Sequence, residues 1–156
     1  MVENYSKQGQ ALEAFLIKHL PLARAAQVSI DAYDGETLKV SAPLSENIND
    51  KGTAFGGSLY NLCVIAGWGM TQLKAEALGL KGDIVVAKGE INYLRPLRGR
   101  LVATAYAPAP EILEKAQHHH TGLGKSVFHI EVSVPDENGK TCVKFSGKYA
   151  VLAAQT

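Results

Sequence analysis

The residues best suited to chemistry lie in Asn49-Asp50-Lys51-Gly52-Thr53-Ala54-Phe55-Gly56-Gly57-Ser58-Leu59-Tyr60. Two adjacent glycines close a polar loop there and open a long apolar segment running to about Leu80. Glycine accepts backbone conformations and close approaches that a Cβ forbids. A helix starting at this point leaves unpaired N–H groups and a positive dipole end facing the loop. Such an end suits an oxygen that gains negative charge, such as a carbonyl under attack or an enolate. A Gly-Gly pair also suits a plain helix cap, with the glycines there for packing. The motif alone leaves both readings open.

The surrounding elements must hold that loop. From Gln8 to about His19, Ala11, Leu12, Phe15, Leu16 and Leu20 recur at helical spacing, and Pro21 ends the pattern. The expected N-terminal helix covers about residues 8–20. Val28, Ile30 and Ala32 alternate, Asp34-Gly35 turns, and Leu38, Val40 and Ala42 alternate again, which reads as a hairpin. The helix after the glycines is apolar around most of its circumference, so it must be wrapped on several sides. Gly67 and Gly69 inside it suggest that a sheet comes close to its backbone.

The second half reads mainly as strands. Ile84 to Leu94 is rich in Val, Ile and Tyr, and Arg100 to Ala107 resumes strand character after Arg95-Pro96-Leu97-Arg98-Gly99. A helix is expected from Glu111 to about His119, with Gly122 and Gly124 after it. Val127 to Val134 alternates, Asp136-Glu137-Asn138-Gly139 turns, and Cys142 to Leu152 forms a last strand. The expected architecture is α+β: about six mostly antiparallel strands in a curved sheet around one long helix.

Composition narrows the functional classes. The chain has 156 residues, enough for one domain with a sizeable core, and no repeat or linker divides it. With Lys+Arg 16 against Asp+Glu 15, its formal charge of +1 gives no bulk attraction to nucleic acid. Neither a secretory pattern nor an uninterrupted membrane-spanning run occurs. Cys63 and Cys142 sit among apolar neighbours without the spacing of a metal or redox motif, so a reduced, cytoplasmic protein is expected. His118-His119-His120 does not make a metal site, because adjacent residues on a helix or strand do not converge on one ion. No metal or cofactor is expected. Cys63 reads as a small buried hydrophobe rather than a nucleophile.

The order of elements and three motifs resemble the hotdog fold of the thioesterase superfamily. Asn49-x-x-Gly52-Thr53-Ala54-Phe55-Gly56-Gly57 resembles that superfamily's helix entry. Ile91-Asn92-Tyr93-Leu94-Arg95-Pro96-Leu97-Arg98-Gly99 resembles its third-strand ending, and Asn138-Gly139 with Gly147-Lys148-Tyr149-Ala150-Val151 its last hairpin. Asn47 to Tyr60, followed by Ala66-Gly67-Trp68, is closer still to the YiiD-type C-terminal domain. That subgroup is linked to malonyl-thioester decarboxylation at the start of fatty-acid synthesis. The resemblance runs from about Leu12 to Leu152.

The resemblance implies roles for individual residues. Asn49 falls on the loop asparagine that polarises the thioester carbonyl, and Gly57 on the residue whose N–H completes the oxyanion site. Thr53, Phe55, Gly56, Ser58, Tyr60, Asn61 and Val64 fall where substrate would be lined, although Tyr60 and Asn61 could equally pack and cap. Phe55 stands where many relatives have histidine, and Val64 where many have the catalytic carboxylate. Valine cannot activate water, so the commonest hydrolytic mechanism does not transfer unchanged. Asp50, Glu90, Ser58 and Asn61 with a water are the local substitutes.

Three reactivities therefore stay open. Hydrolysis of small acyl-CoA or acyl-carrier-protein thioesters is the superfamily's commoner reaction. Decarboxylation of a malonyl thioester needs no base, because loss of carbon dioxide itself leaves the enolate. A non-catalytic acyl or carrier-protein binding module fits the missing carboxylate. Arg95, Arg98 and Arg100, with Lys74 and Lys81, offer cations for a carrier's phosphate or acidic surface. A homodimer, or a dimer of dimers, with sites between subunits is what the resemblance implies for assembly.

Overall fold

Pro21 sets the first boundary. Helix α1 (Val2–His19) stops before it and the short α2 (Pro21–Ala25) starts on it, with Leu20 extended between them. The residue before a proline avoids helical geometry, and proline suits a first helical position, where its missing N–H has no partner. The structure, a computed structural model, describes residues 1–154. α1 begins earlier than the expected Gln8. Its added residues are mostly exposed and carry no apolar period, but Glu3 suits the first turn and pairs with Lys7 at 3.6 Å. Leu12 and Leu16 are buried beneath α1. Glu13 accepts a 2.7 Å hydrogen bond from the Ile30 N–H, which ties α1 to strand β1 (Ser29–Tyr33).

β1 and β2 (Thr37–Ala42) form the expected hairpin. Asp34 Oδ1 accepts from the N–H groups of Glu36 and Thr37 at 2.9 and 2.7 Å, so the side chain builds the turn. The other strands are β3 (Asp83–Tyr93), β4 (Leu101–Tyr106), β5 (Lys125–Pro135) and β6 (Thr141–Leu152). The sheet runs β1-β2-β4-β5-β6-β3, with every neighbouring pair antiparallel. β1 and β3 are therefore its edges.

Helix α3 (Gly56–Ala77) lies across one face of this sheet. Phe128, Ile130, Val132 and Val134 of β5 are buried at alternate positions, as are Phe145, Tyr149 and Val151 of β6. The Tyr149 hydroxyl donates to the Val64 carbonyl at 2.8 Å, and Trp68 Nε1 donates to the Ile84 carbonyl at 3.1 Å. The Tyr60 hydroxyl lies over Gly89, where an added Cβ would come within 2.2 Å of it. α3 ends before the expected Leu80. Gly79 turns the chain at φ 70°, and the Leu80 N–H reaches back to the Ala75 carbonyl at 2.8 Å. Its wrapping is also incomplete: Gly57 is exposed and Asn61, Val64 and Trp68 are half-buried, forming one stripe at helical spacing.

Helix α4 (Pro110–Leu123) runs past the expected His119 and takes in Gly122. It stops at Gly124, which adopts φ 67° and returns its N–H to the His120 carbonyl at 2.9 Å. Among the described residues no helix is long and apolar enough to cross a membrane.

Candidate active site

The loop before α3 is organised by two asparagines. Asn47 is buried, and its Nδ2 donates to the carbonyls of Ala26 and Pro43 at 3.0 and 2.8 Å. Its own carbonyl accepts the Phe55 N–H at 2.7 Å. Asn49 Oδ1 accepts from the N–H groups of Lys51 and Thr53 at 2.8 and 3.0 Å, and its Nδ2 donates to Thr53 Oγ1 at 2.8 Å. One hydrogen of that amide is thereby used, and the second has no partner among the described residues. The Ala54 N–H donates to the Leu97 carbonyl at 2.8 Å, which fastens the loop to the segment after β3.

Phe55 then caps α3 with extended backbone and without a side-chain bond. The N–H groups of Gly56, Gly57 and Ser58 find no acceptor among the described residues. Three unpaired donors at one helix start can hydrogen-bond an oxygen that gains negative charge. Gly57 is exposed, but the Phe55 ring folds back on it: a Cβ added at Gly57 would lie 2.5 Å from Cε1 of that ring.

A cleft of about 380 Å³ opens beside this helix start, lined by Thr53, Gly56, Leu59, Tyr93, Arg95 and Leu97 among others. Thr53 and Gly56 thus line it directly, with Asn49 bonded to Thr53 just behind. Asn61 and Val64 share the uncovered stripe of α3 with Gly57. Ser58 is half-buried in the first turn. Tyr60 points elsewhere, meeting the Phe145 ring edge-on at 5.6 Å between Gly89 and β6.

The substitute bases are not gathered at the cleft. Asp50 pairs with Lys51 at 3.0 Å and Glu90 with Lys88 at 2.9 Å, both on exposed side chains. Cys63 is buried, and burial pushes its thiol from 9.0 up to about 12, so it stays protonated. His118 and His119 are exposed, and the His120 ring contacts the Lys81 carbonyl.

The basic residues close in sequence do not form one patch. Arg95 lines the cleft, whereas Arg100 Nη2 donates to Ser41 Oγ at 2.9 Å on β2. Lys74 lies about 27 Å along α3 from Gly56, and its Nζ bonds the Gly35 carbonyl. Arg98 is exposed. Residues not singled out from sequence complete the cleft: Leu59, Leu97 and above all Tyr93, whose hydroxyl donates to the Gly56 carbonyl at 2.7 Å. An aromatic ending a strand two residues before Arg95-Pro96 is the available signal for Tyr93.

Comparison with known proteins supports the fold. A family model described as "Putative thioesterase (yiiD_Cterm)" matches residues 9–153. A Chlorobaculum tepidum protein of unknown function is 38% identical, with a TM-score of 0.91 over 96% of each chain. A Shewanella oneidensis protein titled a putative thioesterase is 29% identical, with a TM-score of 0.82 over 94% of this chain and 99% of that one. A Haemophilus influenzae thioesterase, 16% identical, shares the fold at a TM-score of 0.68 over 94% of this chain and 92% of its own. With the long helix laid across a curved antiparallel sheet, the chain belongs to the YiiD C-terminal thioesterase family and has the hotdog fold.

Proposed function

We propose that this chain processes small acyl thioesters carried on CoA or an acyl carrier protein. The observation that carries the reading is the set of unpaired N–H groups at Gly56, Gly57 and Ser58, with Gly56 lining the cleft that Thr53, the partner of Asn49, also lines. The Gly57 N–H and the free hydrogen of Asn49 Nδ2 polarise the thioester carbonyl. One such donor typically contributes ~3 kcal/mol to the transition state. Thr53 orients Asn49, while Phe55, Gly56, Ser58 and Val64 shape the apolar approach and Tyr60 supports it from behind. In hydrolysis a water held by Asn61 adds to the carbonyl carbon, the tetrahedral oxyanion rests on the two donors, and the thiol leaves with a proton.

A second reading has support in the same cleft. No carboxylate or histidine lines it among the described residues, and Asp50 and Glu90 are paired with lysines elsewhere. Malonyl-thioester decarboxylation needs only the oxyanion half. The bond between carboxylate carbon and α-carbon breaks, carbon dioxide leaves, and the enolate oxygen rests on Asn49 and Gly57 until the α-carbon takes a proton. Binding without turnover is the third outcome.

Assembly completes the site in this reading. β3 is an edge strand, and Ile48, Phe55, Val85, Val86, Tyr93 and Leu94 are exposed on it or beside it. Pairing β3 with a second copy removes that edge and covers the stripe of α3. Arg95, which lines the cleft, meets the carrier's phosphate or an acidic carrier surface, while Arg100 is held by Ser41 and takes no part.

Incubation with malonyl- and acetyl-thioesters, followed by mass analysis, tests the proposal. Free acid and thiol identify hydrolysis, and acetyl-thioester formed from malonyl-thioester identifies decarboxylation. Binding without either product would leave the module reading. Neither binding nor product would sink the proposal.

A further inference from the structure

The Gly56 carbonyl and the Gly57 N–H are opposite ends of one peptide unit. That unit is planar and trans, so a bond that holds the oxygen also sets the direction of the hydrogen. Tyr93 supplies such a bond, its hydroxyl donating to the Gly56 carbonyl at 2.7 Å. Its ring stands against Gly56, where an added Cβ would lie 3.4 Å from Cζ and from the hydroxyl oxygen. Tyr93 is itself fixed by the sheet: it pairs with Val143 of β6, and the following Leu94 N–H donates to the Cys142 carbonyl at 2.7 Å. The hydroxyl therefore approaches the helix start from a rigid strand.

We propose that Tyr93 is a positioning residue that orients and polarises the Gly56–Gly57 peptide, so that the Gly57 N–H is aimed at the substrate oxygen. This inference rests on the thioester reading of the site. A hydrogen bond at the carbonyl draws electron density along the amide and strengthens the N–H as a donor, by roughly 10–30% per bond in condensed-phase estimates. Desolvation, with smaller contributions from Cys63 and Tyr60, raises the Tyr93 pKa above 10.0, so the phenol remains a donor at neutral pH. Tyr93 touches a reacting atom nowhere in this scheme. It acts through Gly57.

The test is Tyr93→Phe, which keeps the ring and removes the donor. Two quantities are measured: kcat and KM on the best acyl-CoA substrate, and the Gly57 amide resonance in the ligand-free protein by NMR. The expected result is a roughly 2- to 10-fold fall in kcat, the effect of one ordinary hydrogen bond, with KM held. The Gly57 amide proton moves upfield as its peptide loses polarisation. Retained kcat, a loss confined to KM, or a fall in kcat with an unmoved Gly57 resonance would each overturn the inference. A native chain inert on every thioester sinks the thioester reading instead, and the Gly57 resonance still decides whether Tyr93 sets this peptide.

Discussion

The hydroxyl of Tyr149 occupies the space that a side chain at Gly67 would need: an added Cβ would lie 2.2 Å from it. Tyr149 is fully buried and holds the Val64 carbonyl, so it cannot retreat without losing that bond. Gly67→Ala gains about 1 kcal/mol of helix propensity, but overpacking a filled core costs about 1–3 kcal/mol. Adding the lost hydrogen bond, worth about 0.5–1.5 kcal/mol, gives a net destabilisation of about 0.5–3.5 kcal/mol. Urea unfolding measures it. The double variant with Tyr149→Phe should recover part of the loss, and strict additivity would show that the two residues do not compete for space.

Asn49 combines a structural and a chemical role, and the two can be separated. Its Oδ1 accepts two backbone N–H groups, whereas only Nδ2 can donate to substrate. Asn49→Asp keeps the acceptor and removes the donor, while Asn49→Ala removes both. Each should lower turnover about 10²- to 10³-fold, as loss of an oxyanion donor does. Only the alanine variant should also melt at a lower temperature. Normal turnover in the aspartate variant would exclude the Asn49 amide from the site.

Position 64 distinguishes the two chemistries. Val64 is half-buried on the stripe of α3 that also carries Gly57 and Asn61. In a decarboxylase, Val64→Asp should create weak thioester hydrolysis and impair loss of carbon dioxide, since a carboxylate there repels the malonyl group. In a hydrolase that already activates its water, the change should gain little. Because burial can keep the new acid protonated, the assay is run across the pH range from weakly acidic to weakly alkaline. Unchanged decarboxylation throughout would mean that this position does not face substrate.

The exposed edge of β3 gives a prediction about mass. Light scattering at micromolar concentration should give at least a dimer. Changing both Val85 and Val86, each nearly half exposed, to aspartate should shift the mass toward the monomer and reduce activity with it. A native monomer with full activity would rule out a site shared between copies.

Alkaline pH should destabilise the fold through the buried Cys63 and the half-buried Tyr33. Burial raises the Cys63 thiol from 9.0 to about 12 and the Tyr33 phenol from 10.0 to about 12. Both prefer their neutral forms when folded. Their contribution is complete below the unfolded pKa and is lost as pH rises through the folded one. Stability should therefore fall from pH 9.0 upward, toward a limiting slope of about 1.4 kcal/mol per pH unit for each group. Cys63→Ala should flatten the first part of that decline in denaturant titrations, and an unchanged slope would place the titration elsewhere.

The sequence made some of these features legible and hid others for physical reasons. Alternation in Val127 to Val134 and the Asp34-Gly35 turn are local signals, and both correspond to observed elements. The first turns of α1 escaped because exposed residues carry no apolar period. Gly122 resembled a helix stop, yet the left-handed position that ends α4 is Gly124. The roles of Tyr93 and Tyr60 depend on contacts between distant segments, which spacing cannot reveal. Conversely, Lys74 and the arginines are grouped along the chain, and the fold separates them.

Asn47 has a consequence for how the entrance to α3 opens. One side chain ties the carbonyl of Ala26, ahead of β1, to that of Pro43, beyond β2, and its backbone oxygen holds the Phe55 N–H. Releasing Phe55 by loop fraying alone leaves the two side-chain bonds intact. Releasing Asn47 would strand buried polar groups on both segments at about 1–3 kcal/mol each. The Phe55 amide should therefore exchange with deuterium by local fraying, ahead of the start of the hairpin, which opens only when Asn47 lets go. Accurate placement of the glycine donors then depends on a segment far upstream that never meets the cleft.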